Sequence, residues 1–409
     1  MALIVAKFGG TSVADIKRID IAAGKVAREV ANGHQVVVVV SAMSGVTNQL
    51  VSYCDQVSEV YDTREYDVVV SSGEQITAGL MAMALQKHGI TARSWLGWQI
   101  PIHTDDVHGR ARIQGVESGA IMERLGKGEV VVVPGFQGVT QSGRITTLGR
   151  GGSDTTAVAI AAVLKAHRCD IYTDVDGVYT TDPRIVPEAQ KIKTVSYEEM
   201  IELASLGAKV LQTVSVEIAM NNDVNLQVLS SFEDHIGSDL PGTLVVKEED
   251  VMEKKIVSGV AYTRNEAKVT LLSVPDKPGV AAKVFKPLAD AAINLDMIVQ
   301  NVSPDGKATD ITFTVARGDL KRAVETLETV PDLKNVKLLT AQNVAKVSVV
   351  GAGMISNHGV ASKMFETLAS KSINIQAIST SEIKISVLIE EDYVELAVRS
   401  LHAAYGLEQ

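Results

Sequence analysis

The stretch PGVAAKVFKPLADAAINLDMI, which begins at Pro278, returns as HGVASKMFETLASKSINIQAI from His358, an offset of 358 − 278 = 80 residues. Ten of the 21 aligned positions are identical, among them Gly279/Gly359, Phe285/Phe365, Ile293/Ile373 and Asn294/Asn374. Chance does not produce such a match, so the C-terminal part holds two copies of one unit. Copy one reads as βαββαβ: a strand at 268–274, a helix at 279–291, strands at 294–302 and 308–315, a helix at 318–329 and a strand at 335–340. Copy two starts at 345–350 in the same order but ends with its second helix, in LHAAYGLEQ, so its fourth strand is missing. KIVSGVAY (255–262) is a spare strand just before copy one, and without it a sheet edge would be left open. Copy one is therefore expected to lie inside copy two, the pair forming a single lobe.

The first 230 residues follow another pattern. Apolar runs LIVAKF (3–8), QVVVVVS (35–41), EVVVVPGF (129–136), CDIYTDV (169–175) and VNLQVLS (224–230) alternate with helical stretches that include 14–31, 75–88, 154–167 and 197–205. Continuous Val/Ile runs imply strands buried on both faces, hence a mostly parallel sheet sandwiched by helices. Ser196 and Glu199 in SYEE read as a capping box. The charged stretch KEEDVMEKK (247–255) has no core face and reads as the boundary. The expected domains are 1–246, a linker plus completing strand at 247–262, and the two repeat modules at 263–342 and 343–409.

Several classes are disfavoured. The net charge is −10 with no long basic run, which argues against a nucleic-acid surface. No apolar stretch approaches the roughly 18 residues of a membrane span, and MALIVAKF is too short for a signal sequence. The only cysteines, Cys54 and Cys169, have no paired spacing and read as buried free thiols in a reducing compartment. A cytoplasmic enzyme is expected.

Chemistry concentrates in five short stretches. In KFGGTSV, a lysine and a glycine pair follow a strand, which suits an anion held by backbone N–H groups at a helix start. On its own it equally suits a tight turn with a lysine stem laid along apolar surface. TTLGRGGSDTTAVAIA (146–161) is a second glycine-rich turn, with Arg150 beside it and Ser153 or Asp154 as the expected N-cap. SAMSGVTNQL (41–50) puts hydroxyls after the longest valine run, where ligands of open α/β sheets bind. SSGEQITAGL (71–80) isolates Glu74 at a helix start, and YTDVDGVYTTDPR (172–184) is polar and turn-rich. No His pairs with a Ser or Cys, which disfavours an acyl-transfer triad, and no Cys/His cluster offers zinc ligands, so no protein-held metal is expected. What remains is stabilisation of a transferring phosphoryl group by cations and N–H donors. VSVVGAGMIS (347–356) resembles the start of a dinucleotide fingerprint, but Ser356 stands at the third glycine position and it aligns with VTLLSVPDKPG of copy one.

KFGGTSV, SAMSGVTNQL, SSGEQ, GRGGSD and TDVDGVYTTDPR resemble, in order and spacing, the signature blocks of the aspartokinases in the amino-acid kinase family, and the repeat resembles their tandem ACT domains. The resemblance covers essentially the whole chain. It implies an amino-acid kinase fold followed by two ferredoxin-like ACT modules, and transfer of phosphate from ATP with Mg2+ to the β-carboxylate of L-aspartate, opening the route to lysine, threonine and methionine. That acceptor has a pKa of about 4 and is already ionised at neutral pH, so a site without a histidine makes sense. By resemblance, Lys7, Glu74, Arg150 and Asp154 are the catalytic set. Lys7, Phe8, Gly9, Gly10, Ser41, Thr173, Asp174, Tyr179, Asp182 and Arg184 face ATP. Thr47, Glu74, Arg150, Gly151, Gly152 and Ser153 hold aspartate. Arg150 takes a substrate carboxylate, Glu74 its ammonium, and Asp154 orients Lys7 or the metal shell.

The ACT resemblance implies feedback inhibition by lysine, threonine or both. The matching residues are Asp276, Gly279, Ala292, Ile293, Asn294 and Gln300 in copy one, and Val360, Asn374, Ile375, Ser381 and Glu382 in copy two. ACT modules pair across chains, so a homo-oligomer is expected, and an internal start near Met252 would allow a tetramer with a separate regulatory subunit. A fused homoserine dehydrogenase is not expected in 409 residues. The alternatives are a kinase for another amino acid and a catalytically silent amino-acid sensor on this fold.

Overall fold

The computed structural model describes all residues except 150, 206–209, 240, 252–254, 305, 335 and 409. Met252 thus lies outside the described residues. The chain forms two compact units: described residues 1–178, 191–204 and 210–251 in the first, and 179–190, 205 and 255–408 in the second. Residues 179–190, expected in the catalytic domain, belong instead to the second unit.

In the first unit the strands are β1 (Leu3–Phe8), β2 (Gln35–Val40), β3 (Ala92–Ser94), β4 (Ile102–Thr104), β5 (Ile113–Val116), β6 (Val130–Pro134), β7 (Gln137–Val139), β8 (Ile145–Thr147), β9 (Arg168–Thr173), β10 (Thr194–Ser196), β11 (Leu226–Ser230) and β12 (Thr243–Val246). The helices are α1 (Ile16–Ala31), α2 (Val46–Val57), α3 (Thr63–Val70), α4 (Ser72–Lys87), α5 (Ser118–Gly126), α6 (Gly152–Leu164), α7 (Tyr197–Ser205) and α8 (Thr213–Asn221). Eight strands make one sheet in the order β10-β12-β11-β9-β1-β2-β6-β3, parallel except where β11 meets β12. The valine runs are its buried centre: Val36 to Val40 are all within 1% of full burial. Side chains alternate across a strand. Even-numbered Ala6, Phe8, Val36, Val38 and Val40 pack with Ile19, Ala22 and Val26 of α1 and Met81 and Leu85 of α4. Helix α6 packs against β1 and β9, on the side to which the odd-numbered residues point. Ser196 and Glu199 form the expected capping box, each side chain accepting from the other's backbone N–H at 3.2 Å.

Helices α3 and α4 run nearly end to end over Thr63–Lys87, long and apolar enough to cross a membrane by length and composition alone. Half of that stretch is buried inside the protein, with Asp67 and Glu74 among the buried residues, which is the signature of a core helix.

The second unit has β13 (Gly259–Pro275), α9 (Val280–Asp290), β14 (Leu295–Val302), β15 (Ala308–Val315), α10 (Leu320–Glu328), β16 (Lys337–Val350), α11 (Val360–Ser370), β17 (Ala377–Thr380), β18 (Lys384–Glu390) and α12 (Val394–Ala404). They form an antiparallel sheet in the order β14-β15-β13-β16-β18-β17. The spare strand does complete copy two: Gly259 to Thr263 pair with Val350 to Lys346. It starts later than expected, and it does not stop. It continues through two register shifts, at Thr263/Glu266 and Glu266/Lys268, into the first strand of copy one. Strands expected at 335–340 and 345–350 likewise merge into β16. One long two-stranded ribbon therefore serves both modules. Copy one builds its core from Val269, Leu271, Val284, Leu288, Phe313 and Leu327, and copy two from Val347, Val349, Met364, Leu368, Val387 and Leu401. Ile185, Val186 and Ala189 join the copy-two core. Gly351 and Gly353 have a packing role: a Cβ at Gly351 would stand 2.3 Å from Ile256 O, and one at Gly353 2.6 Å from Lys255 O. Bare backbone there lets the chain cross, without a nucleotide.

Candidate active site

Strand parity sends the first two residues of KFGG to opposite faces of the sheet. Phe8 points into the α1/α4 layer, is fully buried and stacks on Tyr172 at 4.7 Å between centroids. Its side chain is core, so only its backbone is left to face a nucleotide. Its carbonyl accepts from Ser41 N at 3.1 Å. Lys7, one residue earlier, points the other way, and its Nζ meets Asp154 Oδ1 of α6 at 2.5 Å. Both residues are 7% exposed. A buried ammonium and carboxylate at this distance hold each other in place.

The chain after β1 makes a turn before α1 begins. Gly9 N donates to Tyr172 O at 3.1 Å, and Ser12 N and Val13 N fold back onto Gly9 O at 2.9 and 3.2 Å. Helix α1 starts only at Ile16, with Asp15 as its cap, so its N-terminus does not open directly on the glycine pair as expected. The N–H groups of Gly10 and Thr11 make no hydrogen bond among the described residues. They are donors left over beside a cation: a Cβ on Gly9 would lie 3.5 Å from Lys7 Nζ.

The second glycine turn arrives from β8. Its N-cap is Gly151, in the left-handed conformation at φ 73°, and not Ser153 or Asp154. A side chain there would be strained and would clash, since a Cβ would stand 1.9 Å from Gln212 Cγ. Ser153 and Asp154 instead fill the first turn of α6, Ser153 bonding Ser41 Oγ at 2.8 Å and Asp154 bonding Lys7. Gly135, after β6, was not singled out in the sequence, yet it sets this approach: its Cβ would lie 2.6 Å from Ser153 Cβ. Arg150 lies outside the described residues.

Glu74, in the first turn of α4, is 4% exposed. Ala42 N donates to its Oε1 at 3.1 Å, while Oε2 is buried without a partner among the described residues. Burial pushes its pKa up to about 7, against the smaller opposing effect of the Ala42 hydrogen bond. A carboxyl group with one oxygen unsatisfied is ready to receive a donor. Thr47 is half-buried in the first turn of α2. Thr173 ends β9 beside β1, its hydroxyl donating to exposed Asp174 at 3.2 Å.

Three residues of the expected nucleotide block are grouped with the other compact unit. Tyr179, Asp182 and Arg184 belong to the second unit. There Asp182 accepts from Arg184 and from Tyr262 OH at 3.1 Å, and the Arg184 hydrogen bonds hold its carboxyl below the usual range. Of the expected effector residues, Ile293 and Val360 are core and offer no side chain to a ligand. Ala292, Asn294, Gln300, Asn374, Ser381 and Glu382 are exposed, as is Gly279 in the loop between β13 and α9, while Asp276 of that loop and Ile375 are half-buried.

Residues 2–230 match the amino acid kinase family, and 268–332 and 347–405 each match an ACT domain. The chain is 54% identical to the aspartate kinase of Stutzerimonas stutzeri over 410 residues, covering all of this chain and 98% of that one. It is equally similar to the aspartokinase of Pseudomonas aeruginosa, with the same coverage. Among solved structures, Escherichia coli aspartokinase III in complex with aspartate and ADP (R-state) is 27% identical with a TM-score of 0.81, covering 98% of this chain and 99% of that one. The same enzyme with lysine and aspartate (T-state) gives a TM-score of 0.76 at the same identity and coverage.

Proposed function

Because the chain belongs to the amino acid kinase family, and within it to the aspartokinases, we propose that its site works as follows. The β-carboxylate oxygen of L-aspartate forms a bond to the γ-phosphorus of ATP as the bond to the ADP oxygen breaks. The carboxylate is already ionised, so no general base is required. The obstacle is repulsion between two anions. The observation that carries this reading is Lys7: a buried ammonium aimed by Asp154, beside the unpaired N–H groups of Gly10 and Thr11. Such preorganised donors are worth most in a dry site, where they need not reorganise.

On the substrate side, Glu74 Oε2 receives the ammonium of aspartate, with Thr47 and Ser153 as hydroxyl donors and Arg150 on its carboxylate. Ser41, bonded to Ser153, marks where the acceptor meets the phosphate. Thr173 and Asp174 line the nucleotide side. No group of three or more His, Cys, Asp or Glu that could hold a metal ion occurs among the described residues. Mg2+ would be held by phosphate oxygens and water, with Asp154 as the protein residue that would help hold it. When bound, Mg2+ supplies charge neutralisation on the phosphates.

The ACT pair is the effector lobe, and lysine is the favoured inhibitor, since lysine is bound in the T-state relative. By linkage, lysine must weaken whatever substrate binding weakens lysine. β14 and β17 lie against each other within the chain, and their exposed Ile298, Val302 and Ile378 favour packing against a second copy. A cytoplasmic location fits two free buried thiols.

The test is ADP release with Mg2+, ATP and L-aspartate, trapping the acyl phosphate with hydroxylamine, with and without lysine and threonine. Aspartate-dependent hydroxamate that falls with lysine is the expected result. ATP binding without turnover on aspartate would overturn the catalytic reading in favour of another acceptor or a silent sensor.

A further inference from the structure

Asp67 is fully buried on α3 and plays no part in the site as described so far. Its carboxylate is nevertheless saturated. Thr147 Oγ1 donates to Oδ1 at 2.6 Å, His108 Nδ1 to Oδ2 at 2.6 Å, and Gly109 N spans both oxygens at 3.1 and 3.2 Å. A carboxylate this deep is retained only where its partners are held in return. Those partners come from the 105–112 loop and from the end of β8. Ala111 N also donates to Thr147 O at 2.9 Å, and Asp105 closes the loop on itself through Val107 N and Arg112 N.

Thr147 is the last residue of β8, and the turn at 149–152 follows directly. Leu148 N is pinned to Phe136 O at 2.9 Å and Gly152 N to Gly149 O at 3.1 Å. Upstream of the turn, the only side-chain anchor in β8 that reaches α3 is therefore the Thr147 bond to Asp67, among the described residues. Asp67 and Glu74 stand 74 − 67 = 7 residues apart on helices joined through Ser71, itself in α-helical backbone. One stiff helical run of about two turns thus carries the ammonium acceptor and the anchor of the carboxylate turn.

We propose that Asp67 is a positioning residue: acting through Thr147 and the His108–Gly109 loop, it fixes the described turn residues Gly149, Gly151 and Gly152 relative to Glu74 and so sets the affinity for the amino acid and not for the nucleotide. This rests on the reading that Glu74 and the glycine turn hold the two ends of the amino acid.

Thr147→Val removes the hydroxyl and keeps the shape. It is expected to raise KM for L-aspartate about tenfold or more, with KM for ATP and kcat changed by less than about twofold. Thr147→Ser should restore the wild-type KM. Asp67→Asn should act in the same direction, and the double variant should be no worse than the poorer single one, because the two residues act as one unit. If Asp67→Asn fails to fold, the Thr147 pair decides alone. An unmoved KM for aspartate in Thr147→Val, or equal rises in both KM values, would overturn the proposal while leaving wild-type turnover intact. A wild-type enzyme that does not turn over aspartate would instead sink the functional reading.

Discussion

At the scale of single residues, Glu74 carries the sharpest prediction. Its carboxyl titrates at about 7 because it is buried with one oxygen unsatisfied. Protonated, it cannot receive an ammonium, so KM for aspartate should fall as pH rises toward 7, by up to about tenfold per unit, and level off above it. Glu74→Gln should flatten that profile, as read from initial rates between acidic and mildly alkaline pH. The same shift has a consequence for stability. The folded-state value lies above the ordinary glutamate value of 4.5, so the native protein holds a proton that the unfolded chain releases. This group's contribution therefore declines as pH rises through the window from 4.5 to about 7. In denaturant melts without substrate at alkaline pH, Glu74→Gln should be the more stable protein. Lys7 gives the complementary test. Lys7→Met should lower kcat by about 10²–10³ while aspartate still binds, seen by calorimetry. A kcat close to wild type would remove Lys7 from the chemistry.

At the scale of elements, what decides the site is how closely α6 approaches the strands. Gly135→Ala would push a methyl group into the Cα and Cβ of Ser153, at 2.8 and 2.6 Å. Backbone cannot swing away as a flexible side chain can, so the variant should lose about 1–3 kcal/mol of stability and most of its kcat/KM, whereas Gly33→Ala tests strain alone, with nothing within 4 Å. The valine runs made the central strands legible in sequence, because burial on both faces leaves a continuous apolar record. The pairing of Lys7 with Asp154 came only through the family resemblance and not from pattern, since two residues 147 positions apart in sequence meet only through strand parity and the approach of α6. The cap was misread for a related reason: Ser and Asp are the favoured caps in general, but Gly151 must adopt a positive φ and pass Gln212 without a side chain. The polar stretch TRNEA (263–267) looked like a break between strands, yet register shifts absorb it and β13 runs on.

At the scale of the whole molecule, the boundary is not where the linker lies. Residues 179–190 follow closely on β9 and the turn after it, but Ile185, Val186 and Ala189 pack in the copy-two core, and buried Thr180 bonds His402 of the last helix at 2.9 Å. A truncated chain of residues 1–258 would leave that segment without its core. It should therefore be inactive and open to proteolysis within 179–190, and not merely released from feedback, as assay and limited digestion would show. An active, protease-resistant fragment would contradict this. The ribbon of β13 and β16 carries a different lesson, about inheritance. Because each of its strands belongs to both modules, no crossover point between 263 and 350 exchanges one module without severing the other. Effector specificity in such a protein can be traded between lineages, or transplanted by an engineer, only as the whole block that begins at the spare strand; point substitutions at the exposed loops are the remaining route by which one module changes alone.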